Sequence, residues 1–364
     1  MLGPLVSPRL LVQAQENSTS NPYERSKKCV PIKHNNDFAL LAGNSNPELS
    51  KKIAERLGSS LVPGIVQKFA DGEVRCEFDA DAVSGKHCYI VQPTCRPVND
   101  SLMELVTMIS ACKRAGALSV TVVSPYYGYA RQDRLAKGKA TPITSGDVAQ
   151  ILEFMGTTRI ISVDLHSLQT MGMVTAKCQF EDYEAAFAGL DYFIQNIDDK
   201  KNLVVVSPDA GGMKRAQSFH KHFAWHGFTD VGFAMISKER KAANEVGEVV
   251  LIGDVRGKQC IIVDDMIDTA GTLCAAAQSL KDKGATDVYA FATHGIFSGP
   301  AGDRIAKSAF KKVITTDSMP LNEGFAEKVG DKHATVSLDL LLAEVIRRTH
   351  QREDKKDLYT KPVY

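Results

Sequence analysis

Gly85-Lys86-His87-Cys88-Tyr89-Ile90-Val91 and Gly257-Lys258-Gln259-Cys260-Ile261-Ile262-Val263 are near copies of one another, and together they decide how this chain is built. Each starts at a glycine and a lysine and runs into a short unbroken series of apolar or aromatic residues, the pattern of a strand buried on both faces. Outward from each copy the order repeats. A helical stretch follows, Val98 to Arg114 in the first and Thr272 to Lys283 in the second. Each stops at a Gly-Ala pair, Gly116-Ala117 and Gly284-Ala285, before another apolar run. Self-similarity of this kind marks an internal duplication. The chain is expected to fold as two related α/β units in tandem.

The other β-rich runs are Phe38 to Ala42, Val120 to Pro125, Ile160 to Asp164, Leu203 to Pro208 and Val288 to His294, separated by longer amphipathic segments. Such alternation predicts mainly parallel strands joined by crossover helices, with the chemistry at the strand ends. Ser45 and Asn46 before Pro47 supply a helix N-cap and a first-turn proline, and Gly58 supplies the stop.

Composition narrows the class of function. The 364 residues are 44% hydrophobic and 24% charged, a soluble globular make-up, and 44 Lys and Arg nearly balance 43 Asp and Glu. That balance gives no bulk attraction to nucleic acid or to an anionic membrane, and no apolar run approaches the roughly 20 residues that span a bilayer. Cysteines 29, 76, 88, 95, 112, 178, 260 and 274 form no CxxC pair, which fits a reducing compartment. We therefore expect a cytoplasmic protein. Residues 1–35 carry a faint likeness to an organelle transit peptide, set against the plainer reading of residues 1–36 as a flexible extension.

The duplicated units differ where chemistry is expected. After its strand the second copy has Asp264-Asp265 and then Asp268-Thr269-Ala270-Gly271-Thr272, whereas the first has Gln92-Pro93 and a proline-bearing detour. Backbone N-H groups at a helix start, with the Thr269 and Thr272 hydroxyls, make a cradle for a phosphate monoester, and the two acids can hold sugar hydroxyls. A second anion loop is Asp209-Ala210-Gly211-Gly212-Met213-Lys214-Arg215, where glycines let backbone donors approach closely and two cations add charge. His220, His222 and His226 near Trp225 lack a third zinc ligand at workable spacing and read as an ordinary helix face.

The Val263 to Thr272 run resembles the phosphoribosyl diphosphate binding signature shared by phosphoribosyltransferases and ribose-phosphate pyrophosphokinases. The Asp209 to Arg215 segment resembles the diphosphate loop of the second family. So do Phe69 with Asp71-Gly72-Glu73, Tyr129-Ala130-Arg131-Gln132-Asp133, Val163-Asp164-Leu165-His166 and Lys238-Glu239-Arg240, in that family's order from about residue 38 to 349.

The resemblance implies two phosphoribosyltransferase-like domains, 37–184 with a degenerate phosphate loop and 185–349 with the two working loops, followed by a tail at 350–364. It implies transfer of the β,γ-diphosphoryl group of ATP to the 1-hydroxyl of ribose 5-phosphate, with AMP leaving. In that reading Phe69, Asp71 and Glu73 serve adenine in a neighbouring subunit's site, and Arg131, Gln132, Asp133 and His166 serve the ATP phosphates. His166, Asp209 and Asp164 would hold Mg2+, and Lys238 and Arg240 on a mobile charged loop would stabilise the transferring group. Asp264, Asp265, Asp268, Thr269, Ala270, Gly271 and Thr272 would bind ribose 5-phosphate. A homo-oligomer is implied, dimers assembled into a hexamer. Lys177-Cys178-Gln179-Phe180-Glu181 and the residues after His350 depart from the family pattern in regions that bear on nucleotide and phosphate regulation, so that property is not carried over. The competing readings are a phosphoribosyltransferase, which would consume the activated sugar, and a non-catalytic partner of the pyrophosphokinases.

Overall fold

The computed structural model describes residues 30–32, 36–197, 202–239 and 248–359. The first half contains β1 (Phe38–Ala42), α1 (Pro47–Leu57), β2 (Gly64–Lys68), β3 (Val74–Phe78), α2 (Ala80–Val83), β4 (His87–Val91), α3 (Val98–Arg114), β5 (Ser119–Val123), α4 (Thr144–Phe154), β6 (Arg159–Val163) and β7 (Gln179–Tyr183). The chain continues through α5 (Ala186–Asn196), β8 (Leu203–Ser207), α6 (Met213–Trp225), β9 (Gly232–Glu239), β10 (Glu248–Ile252) and β11 (Gln259–Ile267). It ends with α7 (Gly271–Asp282), β12 (Asp287–Gly295), α8 (Ala301–Lys307), β13 (Lys312–Thr316), α9 (Phe325–Val329), β14 (His333–Val336) and α10 (Asp339–Gln351).

One sheet has the order β1-β4-β5-β6-β7 and is parallel throughout. The other has the order β10-β9-β8-β11-β12-β13-β14 and is parallel except for the β9–β10 hairpin. The duplication holds at the level of single hydrogen bonds. Gly85 N donates to Gly116 O at 3.0 Å and Gly257 N to Gly284 O at 2.8 Å, and the four glycines all adopt positive φ. The β2–β3 hairpin stands in the first copy where β9–β10 stands in the second. Lys238, expected on a loop, lies in strand β9 opposite Val249, because the hairpin extends the sheet further than its polar sequence indicates. Arg240 lies outside the described residues.

Helix α1 starts as its sequence predicts: the Asn46 side chain accepts from Leu49 N at 3.3 Å, Pro47 opens the first turn, and Gly58 at φ 61° closes the helix. Its apolar face packs with α10, not with a helix of its own half. Leu342, Val345 and Ile346 of α10 join Leu49, Ile53 and Leu57 over the inner face of the first sheet, and Arg56 Nε donates to Asp339 Oδ2 at 2.8 Å. Helix α5, which follows β7 as α10 follows β14 although it lies past residue 184, packs with α6 over the second sheet, where Gly189 gives the Phe291 ring room against the helix. In the repeat order, the last helix of each copy thus covers the other copy's sheet, and one apolar layer joins both inner faces.

Residues 30–32 and 352–359 are more firmly placed than the sequence indicates. Val30 and Ile32 are buried, their backbone N-H groups donating to Arg56 O at 2.8 Å and Leu57 O at 3.1 Å. The expected C-terminal tail is tied to β7 as far as residue 359: Lys355 Nζ donates to Glu181 Oε1 at 2.8 Å and the Tyr359 ring stacks on Tyr183 at 4.8 Å. Charged groups on the tail find a partner on an edge strand, which composition alone does not reveal.

Because Leu342 is fully buried beneath α10, Leu342→Ala should cost about 2–5 kcal/mol in urea unfolding. Hydrogen exchange should show the loss in β1 and β4 of the first sheet as well as in α10.

Candidate active site

The C-terminal ends of strands from both sheets converge on a cavity of about 430 Å3. The first half contributes Arg131, Arg134 and His166, and the second contributes Asp209, Gly211, Gly212, Arg215 and the whole run Asp264 to Leu273. All seven residues expected to take ribose 5-phosphate therefore line one space. They are joined there by Arg131, His166, Asp209 and Arg215 from the residues expected to handle phosphates.

Strained turns bring these side chains inward. Tyr129, Asp164 and Ala270 are non-glycine residues at φ 61°, 49° and 58°, a conformation costing on the order of 1–3 kcal/mol each. Each stands within two residues of a lining group: Arg131, His166, or the start of α7. Ala270 is the N-cap of α7, so the N-H groups of its first turn point into the cavity. Arg304 Nη1 donates to Thr269 O at 2.9 Å and holds the loop from outside, a contact with no motif to announce it. At the other anion loop, Gly212 N donates to Asp209 Oδ1 at 2.9 Å, which closes the loop just before α6, whose first turn carries Arg215.

Charges are arranged in opposed pairs across the space. Arg131 Nη1 donates to Asp268 Oδ2 at 2.6 Å, linking the two halves. Arg215 Nη1 lies 3.6 Å from Asp264 Oδ1 and 3.5 Å from Asp265 Oδ1, and His166 Nδ1 donates to Asp265 Oδ2 at 2.7 Å. Burial and the adjacent Asp265 push Asp264 up to about 8. Burial also works to raise Asp265, but the His166 hydrogen bond and the Arg215 guanidinium outweigh it and hold that carboxyl well below the usual carboxylate range. The same hydrogen bond raises His166 against its partial burial.

Several expected residues do not line the cavity. Gln132 is engaged by the Thr144 hydroxyl at 3.1 Å, and Asp133 pairs with Arg134 at 2.9 Å, which holds its carboxyl low. Ala210 and Lys214 are exposed beside the diphosphate loop. Phe69 is 51% exposed at the hairpin tip, where Asp71 Oδ1 accepts from Glu73 N at 3.0 Å. Asp164, expected as a metal ligand, is not among the residues that line the cavity. Its carboxylate is turned into the seam between the halves, accepting from Ala185 N at 2.9 Å and from Thr293 Oγ1 at 2.6 Å. Arg134 is the converse case, a lining residue that the sequence reading passed over although it directly follows Arg-Gln-Asp. His222 is buried and stacks on Phe187 with ring centroids 4.1 Å apart, more enclosed than a helix face at the surface.

At the matching strand end of the first half a side chain fills the cradle from within, and a smaller cavity of about 310 Å3 lies beside it, lined in part by Cys95, Arg96 and Val98. Gln92, standing where the second copy has Asp264, is fully buried. It accepts from the Ser45 hydroxyl at 2.7 Å and donates to Glu104 Oε2 at 2.9 Å. A Cβ on Gly43 would collide with the Gln92 amide, so the glycine permits this plug.

A family model described as the N-terminal domain of ribose phosphate pyrophosphokinase matches residues 38–156, and one described as a phosphoribosyl synthetase-associated domain matches residues 233–360. A protein of Vibrio parahaemolyticus named ribose-phosphate pyrophosphokinase is 44% identical over 320 residues, 87% of this chain and 97% of its own. The chain belongs to the ribose-phosphate pyrophosphokinase family. A Haemophilus influenzae pyrophosphokinase of the same name is 43% identical over 317 residues, covering 87% of this chain and 97% of that one. The crystal structure of phosphoribosylpyrophosphate synthetase from Mycobacterium smegmatis matches with a TM-score of 0.78 at 35% identity, covering 87% of this chain and 99% of that chain. Like that pyrophosphokinase, this one has an α/β fold of mainly parallel sheets. Among the described residues no helix is long and apolar enough to cross a membrane.

The raised His166 has a signed consequence. Its stabilising bond to Asp265 is fully present below the ordinary imidazole value of 6.5 and fades as pH rises through the elevated folded value. In metal-free protein followed by NMR, His166 should titrate above that ordinary value. Asp265→Asn should bring its titration down, and an unchanged midpoint in that variant would show the bond to be absent in solution.

Proposed function

We infer that this chain performs the reaction of its family, moving the β,γ-diphosphoryl group of ATP to the 1-hydroxyl of ribose 5-phosphate. The products are 5-phosphoribosyl 1-diphosphate, a precursor for nucleotide biosynthesis, and AMP. The observation that carries this reading is the meeting of two anion loops from one half with Arg131 and His166 from the other around a single cavity. A phosphoribosyltransferase would account for the anion loops but not for the tandem domains, the Phe69 turn or the Lys238 segment. A non-catalytic partner is disfavoured by the intact lining, in which every phosphate-loop position keeps a residue able to serve it.

The sugar's 5-phosphate sits on the N-terminal turn of α7, held by backbone donors of Asp268 to Thr272 and by the two threonine hydroxyls. Asp264 and Asp265 take ribose hydroxyls, which presents the 1-hydroxyl towards Gly211, Gly212 and Arg215. Those residues, with Lys214 at the rim, receive the diphosphate. Arg131 and His166 approach the ATP phosphates from the opposite wall, while Gln132 and Asp133 support the turn that carries Arg131. Substrate phosphates would draw Arg131 and Arg215 away from Asp268 and from the Asp264–Asp265 pair, exchanging one set of charge pairs for another.

The step is an in-line attack by the 1-hydroxyl oxygen on the β-phosphorus. The bond from that phosphorus to the oxygen bridging it to the α-phosphorus breaks, and AMP leaves. Cations on the non-bridging oxygens stabilise the charge that develops there. Lys238 at the end of β9 and Arg240 beyond it are assigned this task. No dedicated general base is required of the lining, although Asp264, raised by burial, can hold a proton near neutral pH.

The donor set fits a magnesium ion carried with ATP. His166 commits Nδ1 to Asp265 and so keeps Nε2 for another partner, and Asp209 faces the same space. Among the described residues no group of three or more His, Cys, Asp or Glu could hold a metal, which suits an ion that keeps waters and phosphate oxygens as most of its ligands. When bound, Mg2+ neutralises charge on the transferring phosphates. Phe69, Asp71 and Glu73 face solvent and are assigned to the adenine site of a neighbouring subunit, in dimers assembled as a hexamer. We place the chain in the cytoplasm, in keeping with the seven free cysteines among the described residues.

AMP release from ATP and Mg2+ should depend on ribose 5-phosphate, and Lys238→Ala should reduce it by about 10²-fold or more. ADP in place of AMP would put the attack at the wrong phosphorus. Binding of ATP with no AMP formed would favour the non-catalytic partner.

A further inference from the structure

His166 stands on a short turn after β6 that is gripped from three sides. Asp164, which starts the turn, has φ 49°, a conformation that a residue with a Cβ keeps only where its surroundings hold it. Its carboxylate accepts from the Thr293 hydroxyl of β12 at 2.6 Å, and its backbone carbonyl accepts from His294 Nε2 at 3.3 Å. Asp182 of β7 takes the next residue, both of its carboxylate oxygens accepting from Leu165 N at 3.1 Å, while Ser162 Oγ donates to Oδ1 at 2.8 Å. His166 itself closes the circuit on Asp265.

The register of the second sheet explains why these bonds act together. β11 and β12 pair Asp264 with Ala292 and Met266 with His294, which sets Asp265 beside Thr293. Adjacent strand positions of the second half therefore hold alternate residues of one turn of the first half: Thr293 holds Asp164, and Asp265 holds His166. Thr293 is fully buried and does not line the cavity.

We propose that Thr293 and Asp182 are positioning residues for His166, clamping the Asp164–Leu165–His166 turn so that the imidazole is held against the sugar-binding acids across the seam. The inference rests on the assignment of His166 to the ATP phosphates. It predicts a selective defect, because the ribose-phosphate loop starts beyond the clamp and has its own anchor in Arg304.

The variants are Thr293→Val, which keeps shape and loses the hydroxyl, Thr293→Ser, which keeps the hydroxyl, and Asp182→Ala. Each is compared with the parent chain and with His166→Ala, using steady-state kinetics and the His166 imidazole NMR signals of metal-free protein. Thr293→Val and Asp182→Ala should lower kcat/KM for ATP roughly 10- to 100-fold, leave KM for ribose 5-phosphate within about twofold, and displace the His166 signals. Thr293→Ser should restore both readouts. Parent-like kinetics in Thr293→Val, alongside a damaged His166→Ala, would overturn the proposal. So would an equal rise in KM for both substrates with the His166 signals unmoved, since that is general loosening. If Thr293→Val does not fold, Asp182→Ala decides by the same criteria. If His166→Ala is as active as the parent, the assignment of His166 fails separately, and the NMR signals alone then decide whether the clamp exists.

Discussion

The constraint on which the rest of this structure depends is the burial of two sheet faces in one shared apolar layer. Each sheet needs a second helix on its inner face, and each receives the one that ends the other copy in the repeat order: α10 for the first sheet, α5 for the second. Neither half can move far without exposing apolar surface, at roughly 25 cal/mol for each Å2. The relation between the two sheets is therefore set by packing well away from the cavity. That fixed relation lets Arg131 and His166 from one sheet meet Asp268 and Asp265 from the other at hydrogen-bond distance.

On this rigid base the strand ends carry features that would be unfavourable alone. Tyr129, Asp164 and Ala270 sit at positive φ, and acids stand side by side at Asp264 and Asp265. Cations from both sheets offset the clustered acids, and hydrogen bonds from neighbouring strands offset the backbone strain at Asp164. A site organised in this way loses little freedom when anions enter, because its donors are already aimed.

Much of this was legible in the sequence. The repeated strand, helix and Gly-Ala order identifies the duplicated α/β units because parallel buried strands and helix stops have strong local signatures, and Val98–Arg114 is found with the expected bounds. The run from Asp264 to Thr272 was readable for the same reason, since strand, double acid and small-residue turn are contiguous. The exchange of α5 and α10 was not readable, because an amphipathic helix declares its apolar face but not which sheet will cover it. The contacts of Asp164 were hidden on similar grounds: its sequence neighbours do not include Thr293, whose hydroxyl donates to the carboxylate across the seam. Arg304 and Gln92 act through contacts between distant parts of the chain. The weak β2–β3 hairpin escaped notice because its exposed strands lack a clear apolar alternation.

The exchanged helices also bear on how the chain is made. A ribosome releases β1 to β6 long before α10, and at about 5–20 residues per second the first sheet waits on the order of ten seconds or more for its last covering helix. During that interval Leu40, Tyr89 and Ile161 present an apolar face with part of its native cover missing. The nascent N-terminal half is thus a natural client for chaperones. A ribosome that stalls before Leu342 releases a chain disposed to aggregate, even though every residue of its own sheet has been synthesised.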